Sequence, residues 1–225
     1  MSESGMMTLP LKPQAVIFDM DGLMFDTESL YQAAVSAAAE EGGHDVGAIL
    51  SFLIGRPWTE SRGLLLGHFG EDFPVDDFMK CAVRHAERLR PPKAPIKPGV
   101  MELLDTLDRL ELPRAIATSS GHPTVEKHLT AHDLKGRFHK IVARGDYAAS
   151  KPAPDPFLKA AELLGVEPRL CLALEDSHHG VRSASSAGMM TVMVPDLMAP
   201  TEEIRGLCVR VVHDLHEVRE MLLSG

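Results

Sequence analysis

The chain has 225 residues, 44% of them hydrophobic and 24% charged, with a formal net charge of −9. This length fits one large α/β domain or a domain with an insert, and the acidic balance excludes the basic face typical of nucleic-acid binders. No apolar run approaches the roughly 18 residues of a membrane span, and no signal peptide is evident. We therefore expect a cytoplasmic protein without nucleic-acid or membrane partners; the sequence leaves its oligomeric state open, and a monomer is compatible with it.

Short apolar segments predict β-strands, and the amphipathic segments between most of them predict α-helices. The predicted strands are Ala15–Phe18, Arg114–Ala117, Lys140–Ala143, Leu170–Leu174, Thr191–Val194 and Val209–Val212. The predicted helices among them are Val100–Leu110, Pro123–Ala131, Pro156–Leu164, Val181–Ala187 and Leu215–Leu223. Because short buried strands that alternate with helices are typical of βαβ units, the sequence predicts an α/β fold with a Rossmann-like parallel sheet core.

The segment between the first two predicted strands contains only helical patterns. Asp26 or Thr27 is a candidate N-cap for the first helix, which Gly42-Gly43 would stop. The predicted helices are 28–40, Val46–Leu53, Thr59–His68 and Val75–Leu89. We expect residues 27–91 to form an inserted α-helical cap domain, and residues 1–26 and 92–225 to form the core domain. The alternative is that these helices pack directly on the sheet.

Polar residues suited to phosphate and metal follow four of the predicted strands. Asp19 and Asp21 follow the first strand, the hydroxyls from Thr118 to Ser120 follow the second, Lys151 follows the third, and Glu175-Asp176 follow the fourth. In an open parallel sheet, ligands bind beyond the carboxyl ends of the strands, so these side chains are expected at one edge. Carboxylates for Mg²⁺, donors for phosphoryl oxygens and a carboxylate nucleophile together favour chemistry on a phosphate ester.

Four motifs carry a family resemblance. In chain order, FDMDGLMFDTE, ATSSG, SKPAPD and LEDSHHG resemble motifs one to four of the haloacid dehalogenase superfamily, over residues 13–195. The position of the helical insert is similar to the subfamily that includes phosphoglycolate phosphatases, β-phosphoglucomutases and sugar-phosphate phosphatases. This resemblance implies a Mg²⁺-dependent phosphomonoester hydrolase that acts on a small-molecule phosphate ester through a covalent aspartyl-phosphate.

The resemblance also implies catalytic roles. Asp19 would be the nucleophile, and Asp21 would protonate the leaving oxygen and then activate water. Thr118 and the backbone N–H of Ser119 would bind the phosphoryl group. Lys151 would offset the negative charge of the nucleophile and of the phosphoryl oxygens, since phosphoryl transfer depends mostly on positioning and charge stabilisation.

The implied metal site contains Asp19, the backbone carbonyl of Asp21, and Asp176. Glu175 would ligate the metal directly or through water. His178 and His179 lie beside these acids, but adjacent residues at a helix start cannot easily direct both rings at one ion. We interpret the two histidines as ordinary residues of a helix start.

The resemblance leaves a phosphomutase of the β-phosphoglucomutase type as the alternative to hydrolysis. Those mutases carry a cap histidine twelve residues after the nucleophile, where this chain has Tyr31, and a phosphate-binding arginine where it has Trp58. Arg56 is a displaced substitute for that arginine. Hydrolysis is therefore favoured, with Tyr31, Arg56 and Trp58 as candidate substrate-binding residues of the cap.

Two alternative functions are not enzymatic: the chain could be a phosphoacceptor signalling module or a non-catalytic binding protein. Receiver domains place their acidic metal pair ahead of the phosphoacceptor and have no large helical insert, whereas Glu175-Asp176 come late in this chain. All the expected catalytic residues are present, which argues against a catalytically inactive family member that acts only by binding. The sequence therefore favours an enzyme.

Overall fold

The structure of the protein, a computed structural model, describes residues 9–53, 58–89, 91 and 93–224, with the backbone alone described for residues 58–60. The chain divides into two compact units. One contains the chain up to Phe25 and from Pro95 onward, and the other contains Asp26–Ala94. The boundaries predicted from the sequence, at residues 27 and 91, lie within three residues of these. We call the two parts the core unit and the helical unit.

The core unit contains a six-stranded parallel sheet with the strand order β3-β2-β1-β4-β5-β6. The predicted α/β Rossmann-like fold is therefore confirmed. Its strands are β1 (Ala15–Phe18), β2 (Arg114–Gly121), β3 (Lys140–Arg144), β4 (Cys171–Glu175), β5 (Met190–Met193) and β6 (Arg210–Val211).

Strand β1 lies in the middle of the sheet because it is apolar on both faces. All four of its residues are fully buried, and Ile17 pairs with Ala115 of β2 and Ala173 of β4. Such continuous apolar strands are typical of parallel sheets that are covered on both sides. The two residues after β1 therefore emerge at the centre of the sheet edge.

The helical unit contains α1 (Glu28–Glu41), α2 (Val46–Leu53), α3 (Trp58–Phe69) and α4 (Val75–Leu89). Thr27 is the N-cap residue of α1, and Asp26 before it stabilises the helix start, since its Oδ1 accepts a hydrogen bond from the Ser29 N–H at 3.3 Å. Buried apolar residues from all four helices, among them Val35, Ile49, Leu65 and Phe78, form a hydrophobic cluster. This unit therefore has a core of its own.

The helices of the core unit are α5 (Val100–Arg109), α6 (His122–Ala131), α7 (Asp155–Leu164), α8 (His178–Ser186), α9 (Glu202–Leu207) and α10 (Leu215–Leu223). Helix α8 begins three residues before its predicted start, because Ser177 caps it by accepting a hydrogen bond from the Gly180 N–H at 3.0 Å. The six-residue α9 was not predicted.

Strand β2 is longer than predicted. It continues past Ala117 to Gly121, and its register with β3 shifts between these two residues. Thr118 and Ser120 therefore belong to the end of the strand and are held by its backbone.

Among the helices that the structure describes, none has the length and apolar character required to cross a membrane.

Candidate active site

The ends of β1 and β4 bring two acids together. Phe18 pairs with Leu174 in the sheet, and the Asp19 N–H donates a hydrogen bond to the Leu174 carbonyl at 3.0 Å. Asp19, the residue after β1, therefore lies beside Glu175, the last residue of β4. Neighbouring parallel strands are about 4.8 Å apart, so their terminal side chains can meet on one ligand.

Lys151 lies between these two carboxylates. Its Nζ is 2.5 Å from Asp19 Oδ1 and 2.5 Å from Glu175 Oε1, and 4.9 Å from the centre of the Phe157 ring. The exposed fractions of the Lys151, Asp19 and Glu175 side chains are 6%, 10% and 0%. One buried ammonium thus contacts two buried carboxylates, so negative charge is in excess when both carboxylates are ionised.

This burial changes the ionisation of both partners. Burial raises the pKa of Asp19 to about 8, against the neighbouring Lys151 ammonium, which lowers it. Burial alone would lower the pKa of Lys151, but the charges of Asp19 and Glu175 outweigh that effect and raise it. A further positive charge at this site would therefore favour the ionised form of Asp19.

Glu175 is fixed by the start of α8. Its Oε2 accepts hydrogen bonds from the Asp176 N–H at 3.1 Å, the Ser177 N–H at 3.3 Å and the Ser177 hydroxyl at 3.1 Å. Gly180 makes room for the carboxylate, because a Cβ at that position would lie 1.8 Å from the Glu175 carboxyl carbon. The two residues before α8 therefore hold Glu175 through donors, and Gly180 in the first turn of α8 leaves room for its carboxylate.

Three carboxylates form a group that fits a hard divalent cation. Oxygen atoms of Asp19, Glu175 and Asp176 all lie within 4.8 Å of one another. Carboxylate oxygens are the ligands that Mg²⁺ prefers. When all three carboxylates are ionised, their negative charge exceeds the single positive charge of Lys151, and a divalent cation would offset that excess.

The carboxylate of Asp21 faces β2. The Ser120 hydroxyl donates a hydrogen bond to Asp21 Oδ2 at 2.7 Å, and the Ser120 N–H donates to Thr118 Oγ1 at 3.0 Å. The Tyr147 hydroxyl donates to the Thr118 carbonyl at 3.1 Å, and Ser119 is exposed. The structure therefore brings Asp21 and Thr118 together through Ser120, a residue of the predicted hydroxyl cluster to which the sequence assigned no role. The position of Ser120 beside Thr118 and Ser119 was the feature of the sequence that could have indicated this role.

The predicted cap residues have different outcomes. Tyr31 lies on α1 and packs against the hydrophobic cluster of the helical unit, and burial, followed by the Glu28 charge, raises its pKa. Arg56 and the side chain of Trp58 lie outside the described residues, so their predicted contacts with substrate stay predictions.

His178 Nε2 donates to the Ala199 carbonyl at 3.0 Å, which agrees with a structural role at the start of α8.

Comparison with known proteins decides the family. A model of the family described as haloacid dehalogenase-like hydrolase matches residues 16–194. The chain belongs to this family. The predicted resemblance is thus confirmed, and the residues before and after the helical unit are parts of one haloacid dehalogenase-like core.

Relatives of this haloacid dehalogenase-like hydrolase are named as phosphatases. The chain is 36% identical over 187 residues to a Drosophila melanogaster protein named "Probable pseudouridine-5'-phosphatase", covering 80% of each chain. It is 30% identical over 213 residues to the "Phosphorylated carbohydrates phosphatase" of Thermotoga maritima, covering 94% of this chain and 91% of that one. The prediction of an enzyme of the phosphatase class is confirmed by such relatives.

A solved structure is also similar. It is CbbY from Rhodobacter sphaeroides, as a mutant in complex with xylulose-1,5-bisphosphate. The TM-score is 0.68 and the identity 26%, and the match covers 90% of this chain and 95% of that one. This similarity agrees with the confirmed fold.

Proposed function

We propose that the chain is a Mg²⁺-dependent phosphomonoester hydrolase that acts through a covalent aspartyl-phosphate on Asp19. The observation that carries the proposal is the buried contact of Lys151 with both Asp19 and Glu175, 2.5 Å from each. An ammonium in that position neutralises part of the charge that an incoming phosphate would meet. Electrostatic stabilisation of this kind is usually the largest single contribution to catalysis.

In the first step, Asp19 attacks phosphorus and the bond from phosphorus to the ester oxygen breaks. Lys151 holds the nucleophile by its Oδ1, which leaves the other carboxylate oxygen for the attack or for a metal. Thr118 and the Ser119 N–H bind the phosphoryl oxygens. Because Asp19 is packed at the end of a fully buried strand, its attack geometry is fixed before substrate arrives.

Asp21 transfers the protons. It protonates the leaving oxygen, then accepts a proton from the water that hydrolyses the aspartyl-phosphate. The hydrogen bond from the Ser120 hydroxyl to Asp21 Oδ2 orients the carboxylate and leaves Oδ1 for this exchange. The two aspartates thus have different roles and different partners. Asp19, the nucleophile, contacts the Lys151 ammonium, and Asp21, which transfers protons, contacts the Ser120 hydroxyl.

The residues that would hold Mg²⁺ are Asp19, Glu175, Asp176 and the backbone carbonyl of Asp21. When bound, the ion supplies positive charge to the phosphoryl oxygens and to the nucleophile. Glu175 already accepts three hydrogen bonds and contacts Lys151, so we infer that it would hold the metal through water, whereas Asp19 and Asp176 would be direct ligands.

For the substrate we propose a small phosphorylated sugar or nucleoside. The relatives named above act, by their names, on phosphorylated carbohydrates and pseudouridine-5'-phosphate, and CbbY was solved with xylulose-1,5-bisphosphate. Selection among such compounds is assigned to the helical unit, which we propose acts as a cap, with Tyr31, Arg56 and Trp58 as candidate contacts. A cytoplasmic location and a lack of nucleic-acid partners stay predictions.

The test is a panel of sugar, nucleotide and small-acid phosphates with Mg²⁺, followed by release of free phosphate. We expect turnover that EDTA abolishes and that Asp19→Asn removes. Asp105→Asn is the matched control, because Asp105 is an exposed residue on α5 that pairs with Arg137. Full activity in Asp19→Asn would refute the nucleophile assignment. Conversion of β-glucose 1-phosphate to glucose 6-phosphate, in place of phosphate release, would establish the mutase alternative.

A further inference from the structure

We propose that the helical unit contains a Zn²⁺ site formed by Glu41, Cys81 and His85. One potential ligand atom from each residue lies within 4.8 Å of the other two, and all three residues belong to the helical unit. None of them takes part in the phosphatase chemistry proposed above. The site would therefore give the protein a second metal of a different kind.

The geometry comes from two helices that pack side by side. Cys81 and His85 are four residues apart on α4, so their side chains lie on one face of that helix. Glu41 is the last residue of α1, the helix with the most extensive contacts to α4. His85 Nε2 is 2.8 Å from Glu41 Oε2, so a bound ion would replace this direct contact between the two side chains.

The chemistry of the three ligands favours zinc over magnesium. Zn²⁺ binds thiolate sulfur, imidazole nitrogen and carboxylate oxygen, often with three protein ligands and water in the fourth position. Mg²⁺ prefers oxygen ligands only. The exposed fractions of the His85 and Glu41 side chains are 17% and 53%, so the ion has access from solvent while the imidazole is already largely fixed.

Glu41 is also oriented by a residue beyond the three ligands. Arg84 Nη2 donates to Glu41 Oε1 at 3.3 Å, while Oε2 faces His85. The guanidinium thus holds one carboxylate oxygen and directs the other towards the ion. Outer partners of this kind fix ligand orientation in metal sites.

Binding requires that Cys81 lose its proton. Burial, followed by the Glu41 carboxylate, raises the pKa of the Cys81 thiol, so the free thiol is neutral near pH 7. As the sulfur–zinc bond forms, the thiol proton leaves to solvent, and no electron is transferred.

The experiment uses the full chain with excess Mg²⁺ and Co²⁺ as a spectroscopic substitute for Zn²⁺. A thiolate ligand gives cobalt a sulfur-to-metal charge-transfer band in the near ultraviolet, which oxygen ligands at the phosphatase site do not give. We expect this band to saturate at one equivalent and to disappear when Zn²⁺ is added. Cys81→Ser removes the band, and Cys208→Ser, a half-buried thiol of the core unit, is the matched control that keeps it.

Glu41→Gln provides a second variant that does not disturb packing, since this side chain is half exposed. It is expected to weaken Co²⁺ binding at least tenfold, while phosphatase turnover with saturating Mg²⁺ stays at the wild-type level. Absence of the band in the wild type, or its survival in Cys81→Ser, would overturn the zinc site. A wild-type protein that shows the band but releases no phosphate from any ester of the panel would instead contradict the proposed function and leave the zinc site standing, so the two failures are distinguishable.

Discussion

Replacement of Gly180 by alanine tests whether Glu175 is held as the structure has it. An alanine Cβ would lie 1.8 Å from the Glu175 carboxyl carbon and 1.9 to 2.0 Å from its oxygens. Ordinary van der Waals contact begins at 3.4 Å, so one of the groups must move by about 1.6 Å. The carboxylate is the group with rotatable bonds, and its movement breaks its contacts with the backbone of α8 and with Lys151.

The cost follows from the bonds that are lost. Glu175 accepts three hydrogen bonds from the start of α8, and a hydrogen bond to a charged group contributes about 1.5–3 kcal/mol. If the displaced carboxylate recovers part of these bonds, the free energy of unfolding still falls by about 3 kcal/mol. For a chain of this length each kcal/mol corresponds to roughly 2–4 °C, so Tm should fall by roughly 6–12 °C.

The assay combines thermal unfolding with Mg²⁺ titrations of phosphatase turnover. We expect Gly180→Ala to lower Tm as above and to require at least about tenfold more Mg²⁺ for half-maximal turnover, since Glu175 belongs to the proposed metal site. Gly206→Ala is the matched control, because Gly206 lies in α9 with nothing within 4 Å of its added Cβ. There the substitution should be neutral or slightly stabilising. A Gly180→Ala protein with unchanged Tm and Mg²⁺ requirement would refute the placement of Glu175.

Two further predictions concern Ser120 and Cys171. Ser120→Ala removes the hydroxyl that orients Asp21, so kcat should fall about tenfold with little change in KM, whereas Ser224→Ala in the same assay should have no effect. Burial raises the pKa of Cys171 to about 11 from an ordinary value of 9.0, so above pH 9 the unfolded state loses this proton before the folded state does. Denaturant unfolding should show stability falling between pH 9 and 11 by up to about 2.7 kcal/mol more in the wild type than in Cys171→Ala; equal slopes would contradict this.

The parts of the fold and site that the sequence predicted are those set by local pattern. The buried run before Asp19 has no polar residue on either face, which is sufficient to predict a central parallel strand. Since ligands collect beyond the carboxyl ends of such strands, the positions of Lys151 and Glu175 in the sequence predicted that they would meet. The structure has them 2.5 Å apart.

Local patterns do not predict individual hydrogen bonds between distant residues, nor contacts between distant residues that no strand-end motif brings to the same edge of the sheet. Ser120 and Asp21 are 99 positions apart, and their hydrogen bond depends on the register shift that carries β2 past Ala117. Cys81 and Glu41 are also far apart in the sequence, and they come together only through the packing of α1 on α4. Amphipathic spacing identifies which face of a helix is apolar, but it does not identify the partner helix or the rotation between the two.

Two glycines give a physical reason for the spacing of the acidic motifs. Gly22 has a φ of +84°, which disfavours any other residue, and a Cβ there would lie 2.3 Å from Asp176 Oδ2. Gly180 makes the equivalent room for Glu175 from the other side of the motif. The Asp176 carboxylate thus occupies the space that a side chain at position 22 would fill, and the Glu175 carboxylate occupies the space that one at position 180 would fill. The carboxylates can approach Asp19 only because glycine stands one residue after Asp21 and five residues after Glu175, so the arrangement of the three carboxylates depends on these two glycines as well as on the acids.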